Sequence, residues 1–238
     1  GLGDVYKRQS MGNLSEFLME ELNVATAFTI PIFGGIEVAE STVISWVIMA
    51  IIVILTLVLT RNMRVEKPGK LQVGVEYAVT ALQNLVRGII GHEGERYVPY
   101  LSTVLVFLGI SNIFAIFGMK PPTKDLNVTA ALALMSIILV QAASIRQNKV
   151  GGWLKGFTKP SKVITPLNVM ELAIRPLSLC MRLFGNVMGA FVVMKLLEHL
   201  VPVILPAVFS LYFDFFDGLL QAYVFVFLTG LYLSLIHI

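Results

Sequence analysis

Three stretches of this chain run without a charged residue: Ser41–Thr60, Tyr97–Met119 and Leu126–Ile145. Each is about twenty residues, enough as a helix to cross the ~30 Å hydrocarbon core of a bilayer. Further on the pattern changes. Pro166–His199 keeps helical apolar spacing, but Glu171, Arg175, Arg182, Lys195 and Glu198 interrupt it. A fifth apolar segment from Pro206 carries Asp214 and Asp217. The pattern predicts spans over about 41–60, 97–119, 126–145, 166–199 and 206–235. A different period marks 73–91. There Val75, Val79, Leu82, Leu85, Val86 and Ile89 fall on one helical face, with Glu76, Gln83 and Arg87 elsewhere. This predicts an amphipathic helix lying on the membrane interface, with a sixth span as the alternative.

The fold class expected is an all-α membrane protein. About five transmembrane helices and one interfacial helix form a single membrane domain over 41–235, the last two as a long tilted hairpin. Composition supports this. Hydrophobic residues make up 56% and charged residues 14% of the 238, with a mean hydropathy of +0.80. A soluble domain has about 45–50% and about 25% respectively. Residues 1–10, GLGDVYKRQS, look foreign to the rest of the chain and are expected to be a non-native leader, with Met11 as the start. The ending SLIHI stops abruptly inside an apolar segment.

Loop charges predict an orientation. Residues 11–60 hold Glu16, Glu20, Glu21, Glu37 and Glu40 but no Lys or Arg. The loop after the first span holds Arg61, Arg64, Lys67 and Lys70, and the loop after the third holds Arg146, Lys149, Lys155, Lys159 and Lys162. The positive-inside rule places both basic loops in the cytoplasm, segment 11–40 and the N-terminus outside, and, after five spans, the C-terminus inside. The net charge of +3 is thus explained by topology, and no nucleic-acid partner is expected. The one cysteine, Cys180, cannot close an internal disulfide. No cluster with metal-ligand spacing and no nucleotide motif is present, so neither metal nor cofactor is expected.

Arg182 sits within the otherwise apolar stretch Leu177–Leu197. A guanidinium stays charged at physiological pH, and holding it at bilayer depth costs at least ~2.5–3.5 kcal/mol, which points to function. Glu171, Arg175, Ser178, Arg182 and Asn186 recur at helical spacing on one face, and Gly185 and Gly189 flank it as a G-x-x-x-G pair that admits a close neighbour. In the next segment Asp214, Asp217, Gly218 and Gln221 share a face. Joined by a turn near Pro202–Pro206, the two helices would run antiparallel and line a wet crevice. Pro166–His199 as one helix is roughly 50 Å long, so it must tilt, bend at Pro176 or leave the membrane. Blander readings stand beside this. Arg182 would be structural glue if paired with Asp214 or Asp217. Arg175 reads as a snorkelling residue, Glu171 as its i+4 mate or as a carboxylate at the inner end of the crevice. Lys195, Glu198 and His199 read as a solvated outer end, and Phe209–Phe227 as lipid-facing surface.

The residues resemble a known family. Pro176–Asn186 (PLSLCMRLFGN) resembles the signature of subunit a of F-type rotary ATP synthases, and Leu220–Tyr232 (LQAYVFVFLTGLY) its last helix. Asp125–Thr129 (DLNVT) and Gly91–Tyr100 (GHEGERYVPY) resemble further motifs, so the likeness runs in order from about Asn13 to Tyr232. It implies a non-catalytic stator subunit of the membrane sector that moves ions, protons by default, against a ring of c subunits, with peripheral-stalk b subunits as further partners. It implies residence in a bacterial plasma membrane. By matching position Arg182 is the essential arginine that meets the ring carboxylate, and Asn186 and Gln221 line the ion path. Asp214 falls where the family varies, often His or Glu, and Phe191 where some members carry Glu. Relay would then fall to Asp214 with Asp217, and Ser178 and Glu171 complete the expected path. An independent secondary transporter with Arg182 as an anion site, and a purely structural scaffold, are the competing functions.

Overall fold

A computed structural model describes residues 26–30, 36–61, 63, 69–114, 121–157, 165–200, 209 and 211–234. Among them, six α-helices follow a two-stranded antiparallel hairpin of β1 (Thr26–Ile30) and β2 (Ile36–Ala39). The helices are α1 (Glu40–Thr60), α2 (Lys70–Ile90), α3 (Val98–Ile113), α4 (Leu126–Phe157), α5 (Thr165–Leu200) and α6 (Gly218–Ser234). A 3₁₀ turn, His92–Tyr97, leads into α3, another, Pro122–Lys124, precedes α4, and a π-helical stretch, Leu211–Asp217, leads into α6. The leader at 1–10 lies outside the described residues, as do residues 11–25, 115–120, 158–164 and 201–208.

Helix α1 is apolar all round, and of its residues only Ser45 and Ile48 are buried in protein. Trp46, Val47, Ile54, Leu57 and Val58 are exposed, as suits a helix whose solvent is lipid. Its hydroxyls satisfy themselves along the helix: Ser45 donates to Ser41 O, Thr56 to Ile52 O and Thr60 to Thr56 O. Four helical stretches, Glu40–Thr60, Leu126–Trp153, Thr165–Met194 and Leu211–Ser234, are long and apolar enough to cross a membrane. Together with the helical architecture they make the chain a multi-pass, all-α membrane protein. The described part of the stretch expected over 97–119 is the 16-residue α3.

Periodicity left two details unread. The β-hairpin ahead of α1 is one. The other is α4, which continues twelve residues past Ile145, with a break at Lys149 (φ 56°, ψ 163°). Beyond the break the Trp153 indole N–H donates to Gln141 Oε1 at 2.9 Å. A break of this kind leaves composition unchanged, so apolar spacing cannot register it.

The core is shared by α2 to α6 and is built on Val86, Leu101, Leu108, Leu179, Leu183 and Val226. Helix α4 packs along α5, and α6 packs against both α3 and α2. The approach of α6 to α2 depends on Gly230, where a Cβ would come within 2.8 Å of Ile89 Cγ2. Helix α2 buries Val86 and Ile90 in this core while Leu71, Val73, Tyr77 and Val79 stay exposed.

Candidate functional site

Helix α5 has two unlike sides. Leu179, Cys180, Leu183 and Met194 are buried, and the Cys180 thiol lies 3.7 Å from the Thr129 hydroxyl of α4. The other side carries Glu171, Ser178, Arg182, Gly185, Asn186 and Gly189, all exposed. Helical geometry alone produces the division, since the polar stripe recurs every three to four residues and the apolar set does likewise about a third of a turn away. The stripe predicted from spacing therefore exists as one outward face of a continuous 36-residue helix containing Pro176.

Arg182 is exposed on this face and has no hydrogen bond or ion pair among the described residues. It forms none with Asp217, so that version of the structural-glue reading is not realised. Its surroundings are apolar: Leu177 and Met181 are 60% and 52% exposed. A cation bordered by exposed apolar side chains, on a helix fit to cross a membrane, is a surface that needs a partner. The face is also low. A Cβ added at Gly185 or Gly189 would meet nothing within 4 Å.

Nearly two turns toward the N-terminus, Arg175 is tied down. Its guanidinium donates to Glu171 Oε1 through Nη2 at 2.6 Å and Nε at 3.1 Å. It also lies 4.9 Å from the ring centroid of Tyr232 in α6. Glu171 is thus the i+4 mate of Arg175, one of the two roles left open by the sequence.

The Arg175–Tyr232 contact also joins α5 to α6. Arg182 on α5 and Gln221 on α6 differ in exposure. Gln221 is 8% exposed, on the interior side of α6 with Gly218, Ala222, Phe225 and Val226. The two polar faces are joined by no hydrogen bond among the described residues.

Asp217 is half-buried at the end of the π-helical stretch, where the wider turn gives way to α-helix. Asp214 sits within that stretch, and its side chain lies outside what is described. So do the side chains of Lys195, Glu198 and His199. Phe191 is half-buried, with the Lys124 ammonium 3.4 Å above its ring. Among the described residues no group of three or more His, Cys, Asp and Glu could hold a metal ion.

Other buried polar residues escaped the sequence reading of the site. The Asn112 amide donates to Gly218 O at 2.8 Å and accepts from the Thr123 hydroxyl at 2.8 Å. Asp125 is 4% exposed and accepts from Ser41 and from the Asn127 backbone N–H. A lone amide or carboxylate beside an apolar run was the available signal, since such groups are buried only when partnered.

The chain matches the family model described as ATP synthase A chain over residues 42–234. It is 37% identical over 202 residues to ATP synthase subunit a of Moorella thermoacetica, covering 84% of this chain and 92% of that one. It is 34% identical to ATP synthase subunit a 1 of Hahella chejuensis, over 84% and 85% of the two chains. To the protein of Propionigenium modestum named ATP synthase subunit a, sodium ion specific, it is 31% identical over 84% of this chain and 74% of that one.

Proposed function

The chain belongs to the ATP synthase A chain family, and we propose that it forms two half-channels against a ring of c subunits, with Arg182 between them. Membership supports an ion-translocating stator role within the F-type complex and replaces the readings of autonomous transporter and scaffold. What supports the finer reading is the exposed Arg182, unpaired among the described residues, on a low polar face of α5 bordered by exposed Leu177 and Met181.

The mechanism follows from charge. A ring carboxylate facing lipid is costly when ionised and travels protonated. Beside a guanidinium the ionised form is favoured, so its proton leaves into one half-channel as the ring turns. Arg182 cannot release its own proton, which lets it discharge a passing carboxylate without becoming a conductor between the two sides. Each proton crossing supplies ~2.3 kcal/mol per 100 mV, which biases the rotation. Gly185 and Gly189 leave room for a ring helix to pass.

Asn186 and Gln221 line the path beside Arg182, with Ser178 on the same face of α5 as Arg182. Asp214 and Asp217 relay protons on the outer side, and Glu171 with Arg175 marks the inner mouth. The basic loops favour an N-terminus outside and a C-terminus in the cytoplasm, and the resemblance favours a bacterial plasma membrane. Peripheral-stalk b subunits hold the chain still while the ring moves. The coupling ion of this reading is the proton, the family's default, with sodium as the alternative. In membrane vesicles Arg182→Ala abolishes ATP-driven pumping, and wild-type pumping proceeds in sodium-free buffer. Normal coupled pumping by Arg182→Ala would overturn the assignment, and a sodium requirement would overturn the choice of ion.

A further inference from the structure

We propose that Asn112 is a positioning residue that fixes the height and rotation of Asp217 and Gln221; the inference rests on their place in the ion path. Asn112 lies at the end of α3, 3% exposed. Its amide spans two other segments. Nδ2 donates to Gly218 O, and Oδ1 accepts from Thr123 Oγ1, each at 2.8 Å. The orientation of the amide is dictated by its partners. A backbone carbonyl can only accept, so the NH₂ must face Gly218, which leaves the oxygen for the Thr123 hydroxyl. Thr123 is fully buried, so water does not compete for either bond.

Gly218 is where the π-helical stretch ends and α6 begins. The junction between two helical pitches is where the rotation of everything downstream is set. Asp217 precedes it and Gln221 follows by one turn. The lack of a side chain at Gly218 permits the contact, because a Cβ there would lie 2.8 Å from Asn112 Cβ. One amide thus joins α3, the turn before α4 and the pitch change of α6. An apolar residue at 112 would leave the Thr123 hydroxyl buried without its partner and free α6 to rotate.

The test measures position and transport separately, in the assembled complex with Cys180→Ser as background. A Cβ at Gly109 would touch Leu219 Cδ2 at 3.5 Å, so the pair Gly109→Cys and Leu219→Cys reports the register of α6 against α3. Cysteine at 109 is paired in turn with Phe216→Cys, Leu219→Cys and Leu220→Cys; adding Asn112→Ala shifts the strongest oxidative cross-link away from 219 and, without the cysteines, lowers ATP-driven proton pumping severalfold. Thr123→Val, which keeps shape and removes only the hydroxyl, gives a smaller change of the same kind and serves if Asn112→Ala does not assemble. A role in stability alone would reduce the amount of complex but leave both readings unchanged in what assembles, and would overturn the proposal. A shifted cross-link with normal pumping would leave the positioning standing and overturn the place of Asp217 and Gln221 in the ion path.

Discussion

Ser41 and Asp125, 84 positions apart in sequence, meet in a hydrogen bond in which the hydroxyl donates to Oδ2. The bond joins the first turn of α1 to the residue that precedes α4, and Asp125 Oδ1 also accepts from the Asn127 N–H at 2.9 Å. Asp125 is thus an N-terminal cap for α4 and an anchor for a helix that otherwise touches mostly lipid.

Removing the carboxylate leaves both donors without an acceptor. Asp125→Ala is expected to cost about 1.5–3 kcal/mol, the range for hydrogen bonds to charged groups, and Ser41→Ala about 1 kcal/mol. Thermal unfolding of the detergent-purified complex checks the order. Equal midpoints for both variants and wild type would show that the anchor carries no stability.

Gly185 is open space within the chain, since a Cβ there would meet nothing within 4 Å. Gly185→Leu therefore does not strain the fold, and it removes a glycine penalty of about 1 kcal/mol from a helix interior. The added side chain instead projects beside Arg182, where the ring must pass. Overpacking of about 1–3 kcal/mol at that contact would slow rotation roughly tenfold. Helix content of the isolated chain should hold while ATP-driven pumping falls, and normal pumping would show that the ring passes elsewhere.

How much was legible depended on whether a feature was periodic. The stripe on α5 was readable because Glu171, Ser178, Arg182 and Asn186 recur at helical spacing, which constrains a face without tertiary knowledge. The pairing of Glu171 with Arg175 was readable as one of two options for the same reason. Asn112 was not, because its partners Gly218 and Thr123 are brought to it only by packing of three segments. The burial of Gln221 was hidden as well, because it depends on which neighbour packs against that face of α6. The π-helical stretch, which changes the pitch between Asp214 and Asp217, was equally unreadable. The break at Lys149 is a single backbone conformation, and lysine there carries no warning of it.

Replacing Arg182 by lysine keeps the charge but changes the donor. A guanidinium offers a planar fork to a carboxylate and never discharges, whereas an ammonium is a point charge whose pKa falls readily in apolar surroundings. Arg182→Lys is expected to leave assembly intact and fail to restore coupled pumping. Proton leak through de-energised vesicles should rise above wild type, and tight coupling in this variant would argue that charge alone suffices.

Glu171 and Arg175 form a partly exposed pair, with side chains 53% and 24% accessible. An i,i+4 pair of this kind contributes about 0.3–0.5 kcal/mol. Glu171→Gln should therefore leave stability nearly unchanged and, at the mouth of the path, slow pumping by less than about twofold. Arg175→Ala also removes the contact with Tyr232 and should cost more, about 0.5–1 kcal/mol in addition. A tenfold loss in Glu171→Gln would move that carboxylate from the mouth into the path itself.

Asp214 and Asp217 can be separated by the same assay. Both carboxylates precede the start of α6, and only a group that takes up and releases protons should matter for flux at constant structure. Asparagine is isosteric and keeps one acceptor, so Asp214→Asn and Asp217→Asn preserve shape while removing titration. General acid–base relays of this kind contribute about 10²–10⁴-fold in rate when indispensable. A relay in series predicts that each single variant slows passive proton flux and that the double variant is no slower than the worse single. Parallel relays predict mild single variants and a severe double. Passive flux through vesicles under an imposed proton gradient, measured for all three variants beside wild type, distinguishes the two arrangements, and unchanged flux in the double variant would remove both aspartates from the path.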